Sequence, residues 1–460
     1  MVNKTAAKYK AYAEYKNSGV EWLGKIPSHW LATQVKYGYL VTLGKMLQST
    51  PKSSLDELKL YLKAQNIQPN GINIDQVESM WFSPDECKKL LLQKSDVLVS
   101  EGGDAGRSAI WNCELEECYI QNAINRVRPK YVNNSKYFLY WMKFLKSTDF
   151  INIICNKATI AHYTAEKLEG SPIFLPSSDE QIAIANFLDH ETTKIDHLIE
   201  KQQQLIELLK EKRQAVISHA VTKGLDPNVP MKDSGVAWLG EVPEHWDTTK
   251  IKYVAELTPK KSEVSSNDNR LCTFVPMEKL KLGSLIKDEE KPISEVIGGY
   301  TYFKNGDLLL AKVTPCFENK NMVVASDLKN GIGFGSSEIY VLRANHKVNT
   351  QFLYYRLQED QFMELGTGAM TGAGGLKRVP SEFLNNFQFA LPPLSEQIAI
   401  TKYLNQYLIK NEYLMNKAQS AIQLMQERRT ALISAAVTGK IDVRHWQAPN
   451  VTEADTELSA

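Results

Sequence analysis

Apolar residues recur along one stripe in two long, otherwise polar stretches of the chain. In residues 175–226 the stripe passes through Leu188, Ile195, Leu198, Ile199, Leu205, Ile206, Leu209 and Val216, a spacing that sets them on one face of a helix. Residues 391–442 place Leu404, Leu408, Leu414, Met415, Ala418, Ile422, Met425 and Leu432 on much the same stripe. Lys, Gln and Glu fill the positions between and form a solvated face. Ser177 with Glu180 predicts a capping box, and Gly224 and Gly439 are placed to end the two helices. Pro393 stands where the second copy would carry its serine. Each helix then runs about 45 residues, roughly 65 Å at about 1.5 Å per residue. An amphipathic rod of that length needs a partner for its stripe, and the nearest is its own copy, which predicts an intramolecular coiled coil.

The two stretches are copies. Residues 175–188 match 391–404 at eight of fourteen positions and residues 211–226 match 427–442 at nine of sixteen, both at an offset of 216. A middle that diverges while keeping its length behaves as a rod. A second block, SGVEWLGKIPSHWLATQVKY at 18–37, returns as SGVAWLGEVPEHWDTTKIKY at 234–253 with twelve of twenty residues identical at the same offset. Trp22, Trp30, Trp238 and Trp246 recur there in an apolar, turn-rich setting, which favours core packing over stacking on bases. The chain is a tandem duplication. Between the shared blocks its halves diverge: buried strands at 97–99 and 308–310 run into polar loops, alternating strands follow at 121–129 and 335–345, then amphipathic helices at 136–145 and 350–358, then polar loops at 158–168 and 368–384. A common scaffold with divergent loops suits two recognition modules for two targets, with specificity in the variable parts.

Composition changes this picture little. At 460 residues, 43% hydrophobic and 23% charged, the chain has room for two or more soluble domains. No run approaches the length of a membrane span and the first residues lack the apolar core of a signal peptide, so a cytoplasmic protein is expected. Cys87, Cys113, Cys118, Cys155, Cys272 and Cys316 offer one C-x4-C and read as buried thiols. A net charge of +1 neither announces a nucleic-acid binder nor excludes one, because binding depends on local patches and partner subunits can supply phosphate contacts. Catalytic motifs are missing. No N-P-P-[YF] or D-P-P-[YF] motif for base methylation occurs, and GGDAGRS at 102–108 has Arg107 where a phosphate loop needs lysine. Pro84, Asp85, Glu86 and Lys88 mimic a nuclease motif in letters only, and the eight histidines are scattered without ligand spacing.

On these residues the chain resembles the specificity subunit of type I restriction-modification systems. The marks are the opening that runs from Tyr9, Tyr12 and Tyr15 through SGV-x-WLG-x-[IV]P-x-HW to Trp30, the S/GD-[VL]-L strand and loop, the LP-x-x-x-EQ-x-AI helix start and the E-[KR]-R-x-[AS]-[LV]-I-S-x-A-V-T helix end. All but the tyrosine run occur twice, over residues 9–442. The resemblance implies an α+β architecture with pseudo-two-fold symmetry: mixed α/β target recognition domains at 1–174 and 227–390, separated by long antiparallel helices at 175–226 and 391–442. A tail at 443–460 is expected to be disordered. It also implies double-stranded DNA as ligand, one half of a bipartite site per domain, and assembly with two methyltransferase and two restriction subunits. In the family those partners bind S-adenosylmethionine, ATP and Mg; no cofactor, metal or catalytic residue is assigned to this chain.

Base contacts are expected from the variable loops. In the first half these are Glu101, Asp104, Arg107, Ser108, Thr159, His162 and Tyr163, and in the second Lys312, Thr314, Asn319, Lys320, Lys377 and Arg378. Arg and Lys pair best with guanine, Asn with adenine, and Glu or Asp with cytosine, while other polar groups can hold phosphates. Gly372, Gly374 and Gly375 either let the second loop approach a backbone closely or leave it slack. Two other readings compete: a coiled-coil scaffold or adaptor without DNA specificity, and a stand-alone DNA enzyme, which would need the motifs this chain lacks.

Overall fold

The computed structural model describes residues 9–155, 162–373 and 375–448. Each long stripe forms one helix, Ser178–Lys223 and Leu394–Val437. Gly224 and Gly439 close them with φ of 80° and 70°, a left-handed step that favours glycine. The chain divides into two compact units that cross the helices instead of following linear order. One contains residues up to Gln202 together with those from Ser420 on, and the other is Gln203–Gln419. Each unit thus combines the variable region of one half, the start of that half's own helix and the end of the other helix.

A duplicated clamp explains why those segments go together. In the first unit Glu180 is buried at the helix start, where Oε1 accepts hydrogen bonds from Tyr12 Oη at 2.6 Å and Trp30 Nε1 at 3.0 Å. Its Oε2 lies 2.9 Å from His29 Nε2. The Trp30 ring also closes on Gly439, where an added Cβ would come within 2.4 Å of Pro27 Cδ. The second unit repeats this with Glu396, His245 at 2.8 Å, Trp246 Nε1 at 3.1 Å and Gly224. The neighbouring glutamines serve as well: Gln181 and Gln397 accept from the backbone N–H of Asn134 and Asn349 at 2.9 and 2.7 Å. The capping box is therefore only half formed. Ser177 Oγ accepts from Glu180 N at 3.4 Å, but the Glu180 carboxylate turns to its distant partners.

Within each unit the helix segments pack antiparallel. In the first, Asp196 meets Arg429 at 3.3 Å, and Ile195 and Leu432 share one core. In the second, Gly224 faces Glu396, while Leu209 O accepts from Asn411 Nδ2 at 3.1 Å. The stripe holds at Leu188, Ile195, Ile206, Leu404, Ala418, Ile422 and Leu432, all buried. Leu198 at 52% and Leu205 at 42% exposure turn outward, and Asn411, 3% exposed, occupies a place the apolar pattern had skipped. Its Oδ1 is buried without a hydrogen bond. A buried asparagine in a helix seam fixes register at a cost in stability.

Above the helices each unit carries the same antiparallel sheet. Its order is Ser108–Ile110, Val97–Ser100, Ile124–Pro129, Tyr39–Leu43 in the first unit and Met322–Val324, Leu308–Ala311, Ile339–Ala344, Ala255–Leu257 in the second. The Ser135–Ser147 and Thr350–Leu357 helices follow, each capped by an asparagine side chain, Asn134 or Asn349. A further sheet differs between the units, three strands around Glu57–Leu62 against four around Leu271–Val275. Trp30 and Trp246 are fully buried, as core packing requires, but Trp22 is 45% exposed and stacks on Phe144 and Phe150. The described start of the tail, residues 443–448, departs from expectation: Val443 is buried and Trp446 packs on Phe187 and His190.

Three substitutions test this frame in urea denaturation. Glu180→Ala strands the buried Tyr12 and Trp30 donors and should destabilise the first unit by about 3 kcal/mol, more than Glu396→Ala, whose carboxylate is less buried. Asn411→Leu should instead stabilise the second unit by about 1 kcal/mol, because it removes an unpartnered acceptor from an apolar seam.

Candidate nucleic-acid interface

The variable loops are aimed by buried aspartates. Ser95 and Gly306 take positive φ, 70° and 90°, and turn the chain into the two central strands. Asp96 accepts from Gln93 N at 2.8 Å and pairs through both oxygens with Arg128 on the neighbouring strand at 2.7 Å. Asp307 likewise accepts from Lys304 N at 2.9 Å and holds Arg343 at 2.8 and 2.7 Å. These pairs lock the strands from which each loop departs.

Each unit then brings its two distant variable loops to one place. In the first, Tyr163 N donates to Glu101 O at 2.7 Å, and Gly102 sits 3.6 Å, measured from an added Cβ, from the His162 ring. In the second, Val379 N donates to Lys312 O at 2.8 Å, Thr314 N to Lys377 O at 3.0 Å, and Thr314 Oγ1 to Gly375 O at 2.9 Å. Val313 and Arg378 form a β-bridge across the same junction. Sequence separation of more than sixty residues is thus closed by backbone hydrogen bonds.

The candidate residues divide by what they touch. His162, Asn319 and Lys377 are exposed on the loops. Arg378 is exposed and held in a fork by Glu338 at 2.8 and 3.0 Å, an ion pair that keeps the Glu338 carboxyl below its ordinary range. Lys312 is half-buried with its ammonium 5.1 Å over the Tyr340 ring. Asp104 is tied to Lys146, and Arg107 Nη2 donates to Ala64 O at 3.0 Å. Three expectations need correction. Tyr163 is fully buried with its hydroxyl 2.6 Å from Ser171 Oγ, so it belongs to the core. Ser108 is buried within a strand. Lys320 is spent inside its own unit, donating to Gln358 O at 2.8 Å and Asp360 at 2.6 Å. Thr159 and Gly374 lie outside the described residues.

The remaining sequence signals find ordinary structural uses. Gly106, φ 79°, leaves no room for a side chain because a Cβ would meet Ile151 Cδ1 at 2.4 Å. Gly372 approaches a backbone closely, but it is its own loop's: a Cβ would lie 2.5 Å from Leu376 O. Glu86 completes a capping box with Ser83 at the start of the Pro84–Leu90 helix and pairs with Lys45. Among the described residues no group of three or more His, Cys, Asp or Glu could hold a metal ion, and none of their helices is long and apolar enough to cross a membrane. Sequence reasoning missed Glu338, whose signal was a lone carboxylate at the head of an alternating strand.

With two repeated α/β scaffolds presenting divergent loop pairs, the architecture is that of a duplicated recognition module. Residues 43–208 and 243–424 match the type I restriction modification DNA specificity domain, and the chain belongs to that family. It is 35% identical over 190 residues to the EcoAI specificity subunit of Escherichia coli, a match taking in 41% of this chain and 32% of that protein. The chain thus spans about a third of the length of that relative. The StySPI specificity subunit of Salmonella potsdam is 21% identical over 440 residues, 93% of this chain and 92% of that one. A chain solved in work on complex assembly and conformational transition of the type I R-M system superposes with a TM-score of 0.62 at 16% identity, covering 90% of this chain and 99% of its own, which speaks for the fold alone.

Glu101 supplies a test of loop packing. Its Oε2 is buried without a hydrogen bond, and burial raises its pKa above the ordinary 4.5, opposed by His162 and Lys167. An unfolded chain loses this proton first, so stability falls as pH rises through the interval between the unfolded and folded values. Glu101→Gln should therefore melt higher than the parent at pH 7 and match it below about pH 4, as read by thermal denaturation.

Proposed function

We propose that this chain is the DNA-recognition subunit of a type I restriction-modification complex, each unit reading one half of a bipartite duplex site. The observation that carries the reading is the paired junction, in which Glu101 meets Tyr163 and Lys312 meets Val379 through equivalent backbone bonds while the flanking loop residues differ. One frame with two unlike polar surfaces suits two unlike half-sites, and exposed polar side chains on rigid loops are what base edges require. The chain carries no chemistry of its own in this reading. Two methyltransferase subunits supply S-adenosylmethionine chemistry, two restriction subunits supply ATP- and Mg-dependent cleavage, and the complex works in the cytoplasm beside the DNA it reads.

Module exchange tests the assignment. Residues 38–173 replaced by the equivalent region of a relative, in a chain reconstituted with its methyltransferase, should change one half of the methylated sequence and leave the other intact. Sequencing of methylated host DNA gives the readout. A change in both halves in a folded protein contradicts separable reading, and methyl transfer, DNA cleavage or ATP hydrolysis by the chain without partners contradicts the non-catalytic role.

A further inference from the structure

In the first unit a cavity of about 230 Å³ lies between the reader loop, the end of the Ser135–Ser147 helix and the last turns of the Leu394–Val437 helix. Arg107, Lys143, Lys146 and Arg429 line it against a single carboxylate, Asp104, with the Thr430 hydroxyl beside them. Part of that charge is used locally. Lys146 is held by Asp104 and donates to Ala105 O at 3.2 Å, and Arg107 Nη1 lies 3.6 Å from Asp104 Oδ2. The rest is not. Lys143 sits 5.4 Å over the Tyr140 ring and pairs with no carboxylate among the described residues. Arg429 Nε lies 3.3 Å from Asp196 Oδ1 without hydrogen-bond alignment, and both Arg429 Nε and Arg107 Nε are buried donors with no acceptor.

Cations gathered around a half-open cavity, with buried donors left over, are unfavourable unless an anion completes the set. Burial and the nearby Arg429 press the Lys143 pKa downward, and Asp196 and Asp189 offset this only in part. The second unit does not repeat the arrangement. Arg213 stands at the position of Arg429, 216 residues earlier, but the turn after the Thr350–Leu357 helix offers Glu359 and Asp360, and Asp360 already holds Lys320. The cationic cavity therefore belongs to the first reader and is not a property of the shared frame.

We infer that this cavity is a phosphate site, occupied by a backbone phosphodiester of the DNA half-site read by the first unit. The inference rests on the DNA-recognition reading above. Its source follows from position: Asp104 and Arg107 belong both to the reader loop and to the cavity wall, so a duplex whose bases meet the loop lays its backbone against the cavity. Guanidinium groups match phosphate oxygens in a fork, and an ammonium adds a point charge. Such a contact fixes orientation and carries no sequence information.

Two measurements test this with Lys143→Met, which keeps the unbranched stem of the side chain and removes its charge, and with Arg429→Gln. For the full-length chain, millimolar inorganic phosphate should raise the melting temperature above a chloride control of equal ionic strength, and both variants should lose that response while keeping the parent circular dichroism. No response in the parent overturns the site. For the complex with its methyltransferase, Lys143→Met should weaken binding to cognate and scrambled duplexes alike by about threefold to tenfold, lower the slope of log K against log salt by about one, and leave the preference between duplexes unchanged. An unchanged slope in a folded variant overturns the assignment to DNA. A parent complex without preference for the cognate duplex sinks the recognition reading itself, and a phosphate response surviving that result marks a free-anion site and overturns the backbone source.

Discussion

One buried carboxylate at the start of each long helix ties together segments that are distant in sequence. Glu180 gathers Tyr12, His29 and Trp30, and Trp30 in turn covers the glycine that ends the other helix. Glu396 does the same with His245, Trp246 and Gly224. A buried carboxylate is tolerable only when its oxygens are filled by donors, and these donors come from an indole, an imidazole and, in the first unit, a phenol. The glycine is favoured twice over, for its left-handed φ and because a Cβ at Gly439 would collide with Pro27 and one at Gly224 would crowd Glu396 and Trp246. This is why the HW block, the EQ helix start and the glycine-ended helix recur as a set.

The clamp makes divergence above it possible. Since each half's recognition region is fastened to its own helix start and to the far helix end, the loops need not contribute to holding the frame. A second layer of buried ion pairs, Asp96 with Arg128 and Asp307 with Arg343, fixes the strands from which the loops spring. Beyond that layer the two units share backbone bonds and little else. One closes Glu101 against Tyr163, the other Lys312 against Val379, so the polypeptide path is kept while the chemistry it displays changes.

Charge follows the same division. The net charge of +1 describes neither unit's surface. On the first, Lys143 pairs with no carboxylate among the described residues and Arg429 has only the misaligned Asp196; on the second, Arg378 is spent on Glu338 and Lys320 on Asp360. A chain can therefore be almost neutral and still present a phosphate-attracting surface, because ion pairing is decided residue by residue.

Periodicity and repetition were enough to show the helices, the duplication and the strands at 97–99 and 308–310. Those features depend on neighbours a few residues apart, and spacing along the chain records them. Partners across the fold leave no such record. The Ser177 capping box looked complete until Glu180 proved to have three distant donors, and Leu198 and Leu205 sat on the stripe by count while Asn411 took a place in the seam. Tyr163, Ser108 and Lys320 had the right chemistry for DNA and were drawn into the core or into local ion pairs. The sequence by itself determined which elements form, that they form twice, and which side-chain chemistry the loops possess. Tertiary structure alone decided which of those groups remain free to meet a ligand, because a polar group's availability depends on long-range hydrogen bonds that come into being only when the chain is folded.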